Sequence, residues 1–344
     1  MKNINDLVRK NIVALSPYKC ARDEFKGEAA VFLDANENPY NSPYNRYPDP
    51  LQRRLKQKIS LVKGVPADCI FLGNGSDEAI DLCYRVFCEP SKDNVVAIEP
   101  TYGMYRVAAD INNVEYRPVK LEDDFSLNAE RLLEAVDDNT KLIFLCTPNN
   151  PTANVLNHEE VVKVINGFEG LVVIDEAYSD FTKQATFRDE LQRYPNIIVL
   201  NTFSKAWGCA AIRLGMAFAA PEVIEYFNKV KYPYNINTLT QDEAEKMLSR
   251  RFDIDKWIGI IIEERDRVME AVSILPYCIK VYPSNANFFL AKFRDADKLY
   301  RYLAECGIVV RNRSRVTLCG ECLRITVGSQ IENSQLLSAM RKYR

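Results

Sequence analysis

Five short segments of this sequence set reactive side chains directly behind apolar runs. In chain order they are Gly73-Asn74-Gly75-Ser76-Asp77-Glu78, Pro100-Thr101-Tyr102, Pro148-Asn149-Asn150-Pro151-Thr152, Asp175-Glu176-Ala177-Tyr178 and Thr202-Phe203-Ser204-Lys205. A lysine on a loop after an apolar strand is suited to form a Schiff base with a carbonyl and later to carry a proton as the free amine. A carboxylate at the buried end of a strand, as Asp175 stands after Leu171 to Ile174, is suited to hold a cationic nitrogen. Gly73 to Asp77, ahead of a helical stretch, offers backbone N–H groups to an anion, and Ser76 suits the N-cap. As a dinucleotide signature this turn is poor, because Glu78 stands where the third glycine of G-x-G-x-x-G belongs. Taken singly each segment is weak: a Ser-Lys is usually a surface pair, an Asp after a strand a helix cap, an Asn-Pro a turn.

The elements that must position these residues are legible as a pattern. Apolar runs at Ile70 to Leu72, Val95 to Ile98, Leu142 to Cys146, Leu171 to Ile174, Ile197 to Leu200 and Leu214 to Phe218 alternate with amphipathic stretches such as Asp77 to Phe87 and Glu159 to Phe168. Strands that are apolar throughout and separated by helices predict an α/β fold with a mostly parallel central sheet covered by helices on both faces. In such a sheet, ligands bind outside the carboxyl ends of the strands, so one crevice could collect all five segments. After about residue 235 the texture changes. Helices are expected over Glu243 to Arg251 and Trp257 to Ile274, then alternating strands at Ile279 to Tyr282, Phe288 to Phe293 and Leu323 to Val327. The expected division is a large α/β domain over 30–240 and a smaller α+β domain formed by 1–29 and 241–344. Asn36 to Pro50, with four prolines, reads as an extended loop.

Composition removes several alternatives. A chain of 344 residues suggests about two domains, and 47% hydrophobic with 27% charged residues is ordinary for a soluble globular protein. Lysine and arginine total 45 against 47 acids, a net charge of -2 that recommends neither nucleic acid nor a disordered acidic tail. The single histidine, His158, rules out a three-histidine zinc site or an H-E-x-x-H helix within one chain. Asn157 reads as an N-cap with Glu160 three residues on, which places His158 on the surface at a helix start rather than in chemistry. Ten scattered cysteines read as reduced thiols, with no metal or redox role expected even for Cys319 and Cys322. The charged start, Met1 to Lys10, does not read as a signal peptide, and no apolar stretch approaches the ~20 residues of a membrane span. A cytoplasmic protein is expected, with no nucleic-acid or membrane partner.

Taken together, the order P-N-N-P-T, D-E-A-Y, S-K and an arginine eight residues past the lysine, Arg213, resembles the fold-type-I aminotransferases that use pyridoxal 5′-phosphate. The resemblance implies that Lys205 holds the cofactor and shuttles the substrate proton, and that Asp175 pairs with the pyridine nitrogen. Asn150 and Tyr178 would bond the phenolate oxygen, and Tyr102 would stack on the ring. Ser76, Asp77, Thr202, Ser204 and Arg213 would form the phosphate cup. Arg213 stands between Ile212 and Leu214, a setting that predicts limited exposure. Ala153 and Ala211 replace two glycines of the usual pattern, which puts the local backbone in question if either site needs a positive φ.

The outer segments are similar to one branch of that family, the histidinol-phosphate aminotransferases. They are Leu15 to Tyr18, Asp34 to Pro39, Arg46 to Asp49, Gly307 to Arg311 and Leu323 to Gly328. The resemblance implies transfer of an amino group between histidinol phosphate and 2-oxoglutarate, giving imidazole-acetol phosphate and glutamate, in histidine biosynthesis. It assigns Arg324 and Arg311 to the substrate's phosphate or carboxylate, chemistry that planar guanidinium forks suit. Tyr18 and Asn36 would form the substrate-side wall. Tyr47 would reach the cofactor phosphate of a neighbouring subunit, so a homodimer with shared sites is implied. Arg313 and Arg315 read as a solvated basic loop. A threonine-phosphate decarboxylase-like lyase and an aromatic amino acid aminotransferase remain as alternatives, and a regulator that has lost catalysis lacks the basic extension it would use on DNA.

Overall fold

The computed structural model describes residues 3–18, 20–21 and 30–343. Its larger sheet has seven strands: β1 (Ile70–Asn74), β2 (Asn94–Glu99), β3 (Glu115–Lys120), β4 (Thr140–Cys146), β5 (Leu171–Asp175), β6 (Ile197–Thr202) and β7 (Leu214–Ala219), in the order β1-β7-β6-β5-β4-β2-β3. All neighbours are parallel except around β7, which runs against both β1 and β6. That reversal has a consequence for the site. The start of β7, where Arg213 stands, lies at the same edge of the sheet as the carboxyl ends of the other strands.

Alternate residues of the central strands feed two cores, one on each face. Val172 and Ile174 of β5 pack with Ile143, Leu145, Val199 and Met216, whereas Leu171 and Val173 pack with Phe144, Ile198, Leu200 and Ala217. Burial on both faces is why these strands read as continuous apolar runs. β3, sequence Glu-Tyr-Arg-Pro-Val-Lys, has no such run because it is an edge strand with mostly exposed or half-buried residues. Its Pro118 is tolerated at an edge, where one side of the strand needs no ladder partner.

The tail forms a second, antiparallel sheet from β8 (Cys278–Val281), β9 (Phe288–Phe293), β10 (Arg311–Asn312) and β11 (Cys322–Thr326), in the order β10-β11-β9-β8. Helices Arg251–Ser273, Ala296–Glu305 and Gln330–Lys342 cover it through Val268, Val272, Leu299, Leu303, Leu336 and Met340. The long helix starts six residues before the expected Trp257. The preceding helix spans Thr238–Leu248, capped by the Asn237 side chain on the N–H of Thr240. The run Arg251 to Lys256 masks the helix start because four of its six residues are charged, Phe252 is exposed and only Ile254 is buried.

Of the N-terminal segment 1–29, residues 1, 2, 19 and 22–29 lie outside the described residues. Ile4, Leu7, Val8 and Ile12 pack with the large sheet's helices Ser76–Phe87 and Pro221–Val230. Arg9 holds the carbonyl of Arg85 at 3.1 Å, and the Tyr226 hydroxyl donates to Asn5 at 2.7 Å. The N-cap reading of Asn157 holds: its side chain accepts from the N–H groups of Glu159 and Glu160. His158 opens that helix with Nε2 at 2.5 Å from Glu190, stacked on Phe187. Ala153 adopts φ 63°, the left-handed backbone that a glycine would take without a Cβ conflict, while Ala211 does not.

Candidate active site

A cavity of about 720 Å³ opens at the carboxyl edge of the large sheet and is closed on its other side by the start of the small sheet. Its wall includes twelve residues singled out from the sequence: Ser76, Asp77, Tyr102, Asn150, Asp175, Tyr178, Thr202, Ser204, Lys205, Arg213, Arg311 and Arg324.

At one end, the chain turns from β1 into the helix Ser76–Phe87 through Gly75, at φ 73°. Gly75, not Ser76, occupies the N-cap, and Ser76 is the first helical residue. No side chain caps this helix, so its first N–H groups face the cavity without an internal partner. The turn is pinned by the Gly75 N–H donating to the Arg213 carbonyl at 2.7 Å. Two glycines make this approach possible. A Cβ on Gly215 would lie 2.1 Å from the Gly75 carbonyl carbon, and one on Gly75 would lie 2.7 Å from the Arg213 guanidinium. Arg213 itself departs from expectation. Its side chain is 51% exposed, because φ 55° after the turn Ala210–Ile212 aims it away from its apolar neighbours and across the cavity mouth, 3.7 Å from Asp77. The Thr202 hydroxyl accepts from the Ser204 N–H at 3.1 Å and fixes the loop that leads to Lys205.

Asp175 lies at the floor. Its carboxylate accepts the Ala177 N–H at 3.0 Å and the Tyr105 hydroxyl at 2.8 Å. Burial pushes its pKa up, against these two donors. Lys205 reaches the same space with Nζ 5.6 Å from the Tyr178 ring. Burial, followed by the nearby charge of Arg324, holds its pKa below the usual lysine value. Tyr102 donates to Asp77 at 3.1 Å, and the Asn150 amide contacts the Tyr178 hydroxyl at 3.4 Å. Burial raises the pKa of both tyrosines, so each keeps its proton to donate.

At the other end, Arg311 and Arg324 face each other directly across the β10–β11 pairing. Like charges directly opposite in a ladder repel, an arrangement that an intervening anion would relieve. Arg324 donates to Asn150 at 2.6 Å and lies over the Phe288 ring, yet its buried Nε has no hydrogen-bond partner. Burial lowers its pKa.

Three residues named from the sequence lie elsewhere. Asn36 and Tyr47 line a separate cavity of about 520 Å³ beside Asn237 and Leu239, where Tyr47 stacks on Tyr234 at 4.5 Å. Tyr18 is 73% exposed and lines neither cavity. Conversely, two residues reach the site unannounced. Tyr105, which holds Asp175, follows Tyr102 by three residues, a spacing that brings two side chains to neighbouring positions at a helix start. Arg313, read as part of a solvated loop, lines the cavity, while Arg315 is exposed as expected.

These residues fit pyridoxal 5′-phosphate. A buried carboxylate awaits a cation, an amine of lowered basicity stands in the same cavity, and an uncapped helix start with a cationic side chain across it suits a phosphate. The cavity volume falls in the range of small-molecule sites, about 300–1,000 Å³.

Comparison with known proteins agrees with this arrangement. A model of the aminotransferase class I and II family matches residues 13–341. The histidinol-phosphate aminotransferase of Bacteroides fragilis strain YCH46 is 59% identical over 344 residues, covering 100% of both chains. That of Parabacteroides distasonis is 55% identical and covers 99% of each. The crystal structure of the histidinol-phosphate aminotransferase from Clostridium acetobutylicum superposes with a TM-score of 0.80 at 25% identity, over 87% of this chain and 90% of that one. By its full-length identity and by the cavity its strands assemble, this chain belongs to the histidinol-phosphate aminotransferase family of class I and II aminotransferases.

Proposed function

We propose that this chain transfers the amino group of histidinol phosphate to 2-oxoglutarate, giving imidazole-acetol phosphate and glutamate, with pyridoxal 5′-phosphate held in the cavity. The observation that carries the reading is the union, in one cavity, of Lys205 and Asp175 with the opposed guanidinium groups of Arg311 and Arg324. Relatives of that name at 59% identity over the whole chain support it, and favour it over a lyase or an aromatic-specific transferase.

When bound, the cofactor supplies an aldehyde that takes up amines reversibly and a protonated ring that accepts the electron pair left when the substrate carbon loses its proton. The chain's own residues do the rest. Lys205 Nζ anchors the cofactor, and its lowered pKa favours the neutral amine that can accept the proton from the substrate carbon. Asp175 would hold the ring nitrogen in its protonated form, and Tyr105 fixes the carboxylate for that task. Tyr178 and Asn150 would hold the ring oxygen by donating to it, and Tyr102 would hold the ring. The N–H groups at Ser76 and Asp77, the hydroxyls of Thr202 and Ser204, and Arg213 would hold the phosphate. Arg311 and Arg324 bind the substrate phosphate in one half-reaction and a carboxylate of 2-oxoglutarate in the other.

The proposal includes a cytoplasmic homodimer. Tyr47 lies outside its own subunit's cavity, in a segment where Val31, Leu33, Tyr40 and Tyr44 are also exposed, an apolar surface that fits a second copy. In that arrangement Tyr47 reaches the neighbour's cofactor phosphate, and Tyr18 and Asn36 complete the substrate-side wall. The proposed division is 30–240 as the cofactor-binding unit and 241–344 as the smaller one, with Ile4, Leu7, Val8 and Ile12 of the 1–29 segment packed on the larger unit rather than joining the smaller as expected. Among the described residues no helix is long and apolar enough to cross a membrane.

The test is a half-reaction screen on the loaded protein. Histidinol phosphate should discharge the visible absorbance band, and 2-oxoglutarate should restore it. Preference for phenylalanine or tyrosine, or carbon dioxide released from threonine phosphate, overturns the reading.

A further inference from the structure

We propose that Arg313 is a third anion-binding arginine of this site, placed to select a phosphate over a carboxylate in the substrate. The inference rests on the transamination reading above.

Arg313 leaves β10 on a tightly held loop. Its N–H donates to the Cys322 carbonyl at 2.8 Å, and its own carbonyl accepts the Val316 N–H at 2.8 Å. The Asn312 side chain accepts the Ser314 N–H at 2.8 Å. Main-chain bonds and the Asn312 side chain therefore shape the loop, and the Arg313 side chain is left to line the cavity with Arg311 and Arg324. Its Nε is buried with no hydrogen-bond partner, as is the Nε of Arg324. An orphaned, desolvated guanidinium donor is costly unless something pairs with it. The strongest influences on Arg313 are burial and then the positive charges of Arg324 and Arg311, which together push its pKa down to about 10.

The charge balance of the cavity points the same way. Five cationic side chains line it, Lys205, Arg213, Arg311, Arg313 and Arg324, against the carboxylates of Asp77 and Asp175. Asp77 lies beside Arg213 and Asp175 is on the floor with Tyr105. Neither neutralises Arg311, Arg324 and the loop residue Arg313. A carboxylate brings two oxygens and one charge, which the Arg311 and Arg324 forks can satisfy. A phosphate monoester near neutral pH brings about two charges and three acceptor oxygens, so it also engages a third guanidinium.

Steady-state kinetics of wild type, Arg313→Gln and Arg313→Lys with both substrates test this. For Arg313→Gln, KM for histidinol phosphate should rise roughly tenfold to a hundredfold, the range for losing a charge-assisted hydrogen bond. KM for 2-oxoglutarate should rise by much less, kcat should change little, and Arg313→Lys should recover part of the loss. Inorganic phosphate should compete with histidinol phosphate on the wild type and weaken as an inhibitor of Arg313→Gln by a similar factor. The thermal midpoint and the visible band of the loaded protein should stay in place, since the loop is held by main-chain bonds. Unchanged KM for histidinol phosphate, or equal loss for both substrates with a shifted band, overturns the assignment. If wild type itself fails to turn over histidinol phosphate, the parent reading fails instead.

Discussion

Lys205 and Arg324 illustrate how one side chain sets the chemistry of another here. Both are cations in one partly buried cavity, and the charge of Arg324 makes that of Lys205 harder to keep. Because Arg324 lowers the pKa of Lys205, its removal should raise it. Arg324→Gln should therefore load pyridoxal phosphate more slowly at a given pH, with the pH midpoint of the loading rate moved upward, because only the neutral amine attacks the aldehyde. Stopped-flow absorbance across a pH series measures that midpoint, and an unmoved or lowered value contradicts the coupling. At this scale the sequence was informative where a residue follows a strand. Asp175 and Lys205 advertise themselves by position after an apolar run. Tyr105 and Arg313 do not, because a tyrosine inside a helix reads as packing and an arginine in a basic loop reads as solvated. Only the tertiary structure shows that the first hydroxyl ends on Asp175 and that the second guanidinium turns inward.

Among the elements, strands buried on both faces were legible because nothing but apolar side chains can fill them. β3 was hidden because an edge strand has no such requirement, and the start of helix Arg251–Ser273 because its first turns are largely solvated. The direction of β7 could not be read from periodicity, which is the same for either orientation. Yet that direction puts Arg213 at the ligand edge and lays Gly215 beneath the Gly75–Ser76 turn. A methyl at Gly215 would meet backbone at 2.1 Å, so strand and turn must separate. Gly215→Ala should cost about 1–3 kcal/mol of stability, the usual range for overpacking a close contact. It should also weaken cofactor binding, since the N–H groups at the helix start move with the turn. Denaturant unfolding and equilibrium titration with pyridoxal phosphate read the two effects. Loss of stability with unaltered cofactor affinity would mean that this turn does not hold the phosphate.

On the scale of the whole molecule, one of the three sequence-named residues that the single chain leaves out of its own cavity, Tyr47, is the one the resemblance assigns to a neighbour. Tyr47 lines a second cavity and packs on Tyr234, in a segment where Leu33 is 92% exposed and Tyr40 79%. The motif around Tyr47 implies a neighbour's site only through resemblance, because residue types and spacing by themselves carry no address in space. Complementation between two damaged chains settles that question. Lys205→Ala removes the amine from its own cavity, and Tyr47→Ala removes the group proposed to reach across. If each Tyr47 serves the opposite subunit, a mixed dimer has one cavity with both defects and one with neither. Equal mixing with free exchange gives half mixed dimers, so activity should recover to about a quarter of the wild-type value from two weak parents. If Tyr47 acts only within its own subunit, every cavity in the mixture keeps one defect and no recovery occurs. Sedimentation of the mixture at the assay concentration shows whether dimers form at all, which separates failure of assembly from failure of sharing.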